Sequence, residues 1–335
     1  MEWTPDLAAA EWLVERVDDS YATIHGVVPR GFDAYARIFH PASVRTYLDG
    51  RESSLRPSLT PEEFKAGIAR IVDRPVTWAQ TAQAFGTTFH PLAQWHRLVG
   101  REEPWGDDAV AADGREYSDP EEGRLADEQL SVVARCLADA TATPDDVYAA
   151  VWEGWGGIVG SFSTGPHPVQ PLIMVAESTG PVRYSDACAP PAGLVPGPRS
   201  VWGSLAARVK DALRRPQPVW RDGRLSREIS EAPRLQLPDR DHVLFRGRLA
   251  EFTAADAMQT MPWNDPESLF VYSPSLIWPA DRAWVVVTEV DFDSTVVGGS
   301  ARLVDAICSA DGLEALPIPE GSSFCYDADT INGPD

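Results

Sequence analysis

Long apolar runs are missing from this 335-residue chain. No stretch of 18 apolar residues occurs, which is the length a membrane-crossing helix requires. The start, Met-Glu-Trp-Thr-Pro-Asp, also lacks the basic residues and apolar core of an export leader. Cysteine is scarce: Cys136, Cys188, Cys308 and Cys325 form no CxxC pair, no zinc-ligand spacing and no disulfide framework, so a reducing cytosol is the expected compartment. Lys65 and Lys210 are the only lysines among 29 basic residues, a bias that reads as GC-rich codon usage and carries no mechanism. No GxSxG elbow, HExxH pair, Walker loop or GxGxxG turn is found, which removes the usual support for serine-hydrolase, zincin, nucleotide-hydrolase and dinucleotide-binding readings. Positive charge is in deficit as well. A formal charge of −21 sets a repelling field against nucleic-acid backbones and anionic membranes, so neither is an expected partner.

What is present centres on Trp278 to Ser300. Read with strand periodicity, Trp284, Val286, Thr288, Val290 and Phe292 share one face, and Val285, Val287, Glu289, Asp291 and Asp293 share the other. The first face is the expected core. On the second, three carboxylates follow at roughly 6 to 7 Å intervals, a repelling arrangement unless a cation, an arginine, a ligand or water sits among them. Two readings of the trio stand: a strand end emerging into solvent, and a binding site. Asp291-Phe-Asp-Ser-Thr295 also resembles the DxDxT motif of haloacid-dehalogenase-type phosphatases. That resemblance implies Asp291 as nucleophile, Asp293 as general acid/base, and both as magnesium ligands. The motif usually opens such a domain, yet here only 40 residues follow Thr295, with Arg302 as their one basic residue and no acidic pair.

Three segments have the chemistry of helix starts: Thr4-Pro5-Asp6, Thr60-Pro61-Glu62-Glu63 and Thr143-Pro144-Asp145-Asp146. The second is expected to run through Phe64, Ile68, Ile71 and Val72, and the third through Val147, Ala150 and Val151 to the glycines at 154 and 156. Further helices are expected over Leu125 to Ala138, Leu205 to Leu213 and Ala301 to Ser309, with the segment around Trp95 and His96 also helical. Strands are expected over Ala22 to Val28 and Phe32 to Phe39, joined by a Pro29-Arg30-Gly31 turn. Others are expected over Leu172 to Ala176, His242 to Leu249, Leu269 to Tyr272 and Leu313 to Ile318. The irregular order predicts an α+β fold with a largely antiparallel mixed sheet and flanking helices. Three parts are expected: a helix-rich α+β part over 1–157, a Gly/Pro-rich insertion or linker over 158–217, and an α+β part over 218–335 carrying the acidic strand. The two outer parts could also form one composite domain.

Other candidate chemistry is sparser. Val151-Trp-Glu-Gly-Trp-Gly-Gly157 places Trp152, Glu153 and Trp155 among glycines, which suits either a ligand platform for a sugar or arginine side chain, or closure of the core at a helix end. His90 with His96, or His25 with His40, would be the pairs to meet on a metal, against a packing role for each. The basic segment Arg208 to Arg227 suits an anion site or solvated surface.

Trp152-Glu-Gly-Trp-Gly156, Leu237-Pro-Asp-Arg-Asp-His242, Ser273 to Trp284, Glu289 to Thr295 and Asp327-Ala-Asp-Thr-Ile-Asn332 together resemble an uncharacterised family of acidic soluble proteins from high-GC bacteria. No activity, ligand or catalytic residue comes with that resemblance. The Leu-Pro segment followed by acidic strands also resembles the SUKH group of immunity proteins. The expected function is that of a non-catalytic cytosolic binding protein, rich in tryptophan, whose acidic strand end and nearby Trp residues engage a basic protein or small cationic ligand without a cofactor. The alternative is a magnesium-dependent hydrolase using Asp291 and Asp293, with Glu289 as a third ligand.

Overall fold

The computed structural model describes residues 1–18, 23–47, 71–104, 106–163, 218–254, 256–268 and 271–333. Its centre is a nine-stranded antiparallel sheet. Along it lie β1 (Glu2–Trp3), β11 (Arg240–Gly247), β7 (Val147–Trp152), β12 (Leu276–Pro279), β13 (Val285–Val287), β14 (Ser294–Gly299), β2 (Ala34–Phe39) and β15 (Ala315–Ile318), with β10 (Leu235–Leu237) beside β1 on the outer edge of β11. The fold is therefore α+β with a large antiparallel sheet, as the element order predicts. Strands from residues 1–157 and 218–335 interleave in this one sheet.

Both faces of the sheet are buried. Ala36, Val147, Val151, Phe245, Trp284, Val286 and Val297 pack on one face. Helix α4 (Asp127–Ala138) covers them with Leu130, Val133 and Leu137, and α6 (Ala301–Cys308) with Leu303, Val304 and Ile307. Tyr148, Ala150, Leu276, Trp278, Val285, Val287 and Val296 pack on the other face, under Trp12, Leu13, Ile24 and Val28. Double coverage explains why Val285-Val-Val287 has no polar face: each alternating set meets its own core. The one-face core expected for Trp284 and Val286 is thus half of the arrangement.

A smaller sheet runs β4 (Ile71–Val76), β3 (Ala42–Tyr47), β6 (Glu116–Ser118), β5 (Ala109–Val110). Its own core joins Phe39, Trp78, Trp95, Leu98 and Tyr117, with α2 (Trp78–Phe85) and α3 (Trp95–Leu98) against it. Thr77 and Gln80 form a capping box at the start of α2. Glu314, beside β15, accepts from the backbone N–H groups of Trp78 (2.6 Å) and Ala79 (2.8 Å), tying this helix end to the large sheet. Strands β8 (Ser161–Ser163) and β9 (Val219–Arg221) form a separate ribbon, and α1 (Glu11–Val14) and α5 (Arg227–Glu231) are short.

The helices over 127–138 and 301–308, and strands β2, β11 and β15, lie where periodicity puts them. The proposed helix from Thr143 is a strand instead. Asp146 N–H donates to the Thr143 carbonyl (3.0 Å), making a turn, and β7 follows, paired on both edges by β11 and β12. Its six residues, Val-Tyr-Ala-Ala-Val-Trp, are too few for a packed helix and rich in strand-forming side chains, so tertiary pairing overrides the cap signal. Trp152 accordingly ends a strand, and Glu153 to Gly157 follow that strand end, not a helix end. Near the N-terminus a 3₁₀ turn starts at Leu7, where Asp6 accepts from Ala8 N–H (3.2 Å). Ile24–Gly26 is a 3₁₀ turn within the segment expected as a strand, and Val271 and Tyr272 lie in no strand. Ile71 and Val72 belong to β4, whereas Thr60 to Ile68, Leu172 to Ala176 and Leu205 to Leu213 lie outside the described residues. In the basic segment, Arg208, Lys210, Arg214 and Arg215 also lie outside them, and Arg227 pairs with Glu231 (3.1 Å). No helix among the described residues is long and apolar enough to cross a membrane.

Candidate functional site

The expected acidic strand ends early. After Val287 the chain leaves the sheet and turns, Phe292 N–H donating to the Glu289 carbonyl (3.0 Å), before re-entering as β14 at Ser294. Glu289, Asp291 and Asp293 therefore occupy a hairpin connection, and their expected spacing along one strand face does not hold. Arginines resolve their repulsion. Arg240, at the start of β11, donates to Glu289 (3.2 Å) and Asp291 (2.6 Å), while Arg37 of β2 donates to Asp293 (3.1 Å). Glu289 is buried, and burial raises its carboxyl pKa, with Asp291 adding to the rise and Arg240 opposing it.

Arg240 also joins the acids to the tryptophan cluster. Its guanidinium lies 4.9 Å from the Trp152 ring centroid, Trp152 meets Trp155 edge-on, and Trp155 stacks on Tyr272 at 4.8 Å. Glu153 turns away to Arg234 (2.8 Å) and is no part of this group. The loop before α4 seats against the same hairpin through Gly123, whose N–H donates to the Phe292 carbonyl (2.9 Å). Gly123 has φ +68°, and a Cβ there would approach the Val290 carbonyl oxygen to 2.7 Å, so both backbone conformation and space require glycine.

Between this loop, the hairpin, α3 and the C-terminal segment lies a pocket of about 230 Å³. Asp119, Glu122, Asp291 and Asp293 supply its carboxylates, and Trp95, Phe292, Phe324 and Tyr326 its aromatic walls. Arg37, Gln94, His96 and two prolines, Pro104 and Pro120, complete the lining. Arg37 is fully buried, donating to Ser294 Oγ (2.9 Å) and to the carbonyls of Ala93 (2.8 Å) and Pro91 (3.2 Å), with its guanidinium 4.4 Å from the Phe324 centroid and 4.5 Å from that of Phe39. Asp119 accepts from Trp95 Nε1 (2.7 Å) and Arg101 (2.6 Å).

Glu122 differs from the other three carboxylates. Among the described residues no hydrogen bond or ion pair reaches its side chain. Burial at the pocket wall, then the neighbouring Asp293, Asp291 and Asp119, push its pKa up to about 7. By accessible surface the Glu122 residue is nevertheless exposed, so water screens the effect and limits its size but not its direction. Gln94 and His96 are more than nine-tenths buried, and the Nε2 atom of each is without a hydrogen-bond partner among the described residues. Sequence reading singles out neither Glu122 nor Gln94, and gives His96 chemistry only as a metal partner for His90; nothing local marks the isolation of Glu122.

The histidines do not converge in the expected pairs. His25 bonds through Nδ1 to the Val28 carbonyl and through Nε2 to Gly321 N–H, and His90 Nε2 meets Asp329 (2.9 Å). His40 lies beneath the pocket loop, with Nδ1 2.7 Å from the Glu121 carbonyl and Nε2 2.9 Å from Thr295 Oγ1, which lies 2.8 Å from Thr288 Oγ1. The Glu121 carbonyl requires Nδ1–H as donor, and in the neutral ring Nε2 then accepts from the Thr295 hydroxyl. Burial depresses the His40 pKa to about 4. The unfolded chain therefore binds more protons below pH 6.5, and the stability due to neutral His40 is complete above that pH and is lost as pH falls through 4. Urea unfolding of wild type and His40→Gln at pH 7 and pH 4 is expected to show wild type losing on the order of 3 kcal/mol more over that interval. Equal losses in the two proteins would place the His40 proton elsewhere.

Asp291 and Asp293, the acids of the DxDxT-like motif, are engaged by different arginines, and the described residues bring no three His, Cys, Asp or Glu side chains into a group that could hold a metal ion. No family model, curated protein or solved structure matches this chain.

Proposed function

We propose that the protein is a non-catalytic binding protein whose acidic pocket receives a small cationic ligand or a basic side chain of a partner. The observation carrying this reading is Glu122, an unclaimed carboxylate beside aromatic walls that can receive a cation on their faces. The volume of about 230 Å³ favours a small head group, because pockets for drug-sized ligands span roughly 300 to 1,000 Å³. Of the residues named from sequence, Asp291 and Asp293 belong to this pocket. Glu289, Trp152 and Trp155 support it through Arg240 and the hairpin. A phosphatase-like role gains no support from Asp291 and Asp293, whose carboxylates already serve two arginines.

Thermal melting with excess probe tests the reading. A saturating cation such as N-acetyl-arginine amide is expected to stabilise the fold by mass action, by about 2.7 kcal/mol at one hundred times its Kd. The uncharged isostere N-acetyl-citrulline amide is expected to leave melting unchanged. Stabilisation by acetate or inorganic phosphate, with none from cations, would reverse the assigned sign of the ligand.

A further inference from the structure

Resting on the cation-binding reading, we infer that the pocket takes one positive charge at a time, as a single guanidinium head, with Glu122 as its counter-ion. Charge accounting sets the number. Asp119 is held by Arg101 and Asp293 by Arg37, while Asp291 shares Arg240 with Glu289 behind the wall, which leaves Glu122 as the one lining carboxylate without an arginine among the described residues. A second positive charge would have only carboxylates that already face an arginine, with Arg37 repelling it from the wall.

The walls select the shape. A guanidinium is planar and weakly hydrated, stacks on aromatic faces and offers a fork to a carboxylate, whereas an ammonium is a strongly hydrated point charge. Trp95, Phe292, Phe324 and Tyr326 line the pocket, and the Arg37 guanidinium already lies 4.4 Å from the Phe324 ring centroid, so this aromatic wall accommodates such a plane. His96 adds an observation independent of the acids: it is more than nine-tenths buried in the pocket wall, and its Nε2, unpartnered among the described residues, can accept a hydrogen bond in the neutral ring that burial favours, which is what a donor-only guanidinium requires.

Binding also has a proton signature. Asp119 on the same loop, Asp291 and Asp293 on the hairpin, Arg37 on β2, His96 on α3 and Tyr326 on the C-terminal segment are the titratable or charged groups lining the site with Glu122. The three acids raise the Glu122 pKa together with burial, and a bound cation opposes that rise, so uptake of the ligand expels the Glu122 proton.

Isothermal titration of the full chain with N-acetyl-arginine amide, N-acetyl-lysine amide and 1,4-diaminobutane, at pH 6 and pH 8, tests the inference. The arginine amide is expected to bind one to one and tighter at pH 8 than at pH 6, by up to about tenfold, as a counter-ion with a raised pKa requires. Wild type titrated at pH 7 in buffers of different ionisation enthalpy is expected to release about half a proton per ligand, a reading that needs no variant. Glu122→Gln is expected to weaken binding at least tenfold and flatten its pH dependence, whereas Glu121→Gln, on the same loop, behaves as wild type. Tighter binding of diaminobutane would overturn the charge count, and equal binding of the lysine amide would overturn the guanidinium preference; both leave cation binding standing. If binding occurs without proton release, Glu122 is not the counter-ion. Absence of binding by all three probes would remove the cation-binding reading and this inference together.

Discussion

Asp329→Ala is expected to lower unfolding free energy by about 3 to 5 kcal/mol, the range for stripping one partner from a buried charged network. The Asp329 carboxylate is buried and accepts from five donors: His90 Nε2 (2.9 Å), Gln94 N–H (3.1 Å), Ile331 N–H (3.1 Å), Asn332 N–H (2.9 Å) and Asn332 Nδ2 (2.9 Å). It clasps the C-terminal segment to the chain entering α3, where Gln94 and His96 line the pocket. Burial alone would raise its pKa, but the bonds from Asn332, Gln94 and His90 together outweigh burial and hold it below the usual carboxylate value. Its contribution is therefore present above pH 3.8 and is lost as pH falls through the folded value. Urea midpoints at pH 7 measure the loss, and Asp329→Asn, which keeps the shape but exchanges acceptor capacity for donors, is expected to fall between Ala and wild type. The loosened Gln94 backbone is expected to weaken cation binding in the same variants. Wild-type stability in Asp329→Ala would show that these five bonds are replaced by water at no cost.

Where local chemistry and tertiary demand agree, the fold is legible in the sequence. The helix expected over Ala301 to Ser309 forms as α6 on the apolar face of Leu303, Val304 and Ile307, and the structure adds its cap, the Ser300 hydroxyl accepting from Leu303 N–H. Where they disagree, pairing wins: the Thr-Pro-Asp-Asp signal at 143–146 has the residues of a helix start, yet a six-residue strand flanked on both edges gains more from burial than from a capped turn. Strand periodicity carried Trp284 to Asp293 as one element because a turn without Gly or Pro, as at Glu289 to Phe292, leaves no local signature. The site was legible in part. Three close carboxylates require a positive partner, which follows from Coulomb repulsion alone, but Arg37 and Arg240 are 256 and 51 residues away from the acids they serve. Glu122 was illegible for the opposite reason, since being left without an arginine is a property of three-dimensional pairing. Asp329 had a local hint, an Asp three residues before an Asn, but not the burial that makes it important.

The ion pair at the hairpin is expected to show a strong asymmetry between its partners. Arg240→Met leaves Glu289 buried without its cation, and the expected loss at pH 8 is about 3 to 5 kcal/mol. Glu289→Gln is expected to cost only about 1 kcal/mol, because Arg240 keeps Asp291 and the Trp152 face and an amide needs no counter-charge. Asp291→Asn should change stability least, its side chain being 72% exposed. The folded Glu289 pKa already lies above its ordinary value, and removing Arg240 takes away the interaction that opposes the rise. A carboxyl raised on folding costs stability as pH climbs from its unfolded toward its folded pKa, so Arg240→Met is expected to be closer to wild type at pH 5 than at pH 8. Adding Glu289→Gln to Arg240→Met is then expected to restore much of the loss at pH 8 and little at pH 5, a pH-dependent coupling that urea unfolding of the double-mutant cycle reads directly. A loss of the same size at both pH values, unrelieved by Glu289→Gln, would mean that Arg240 acts through its packing on Trp152 and that the buried carboxylate does not depend on it.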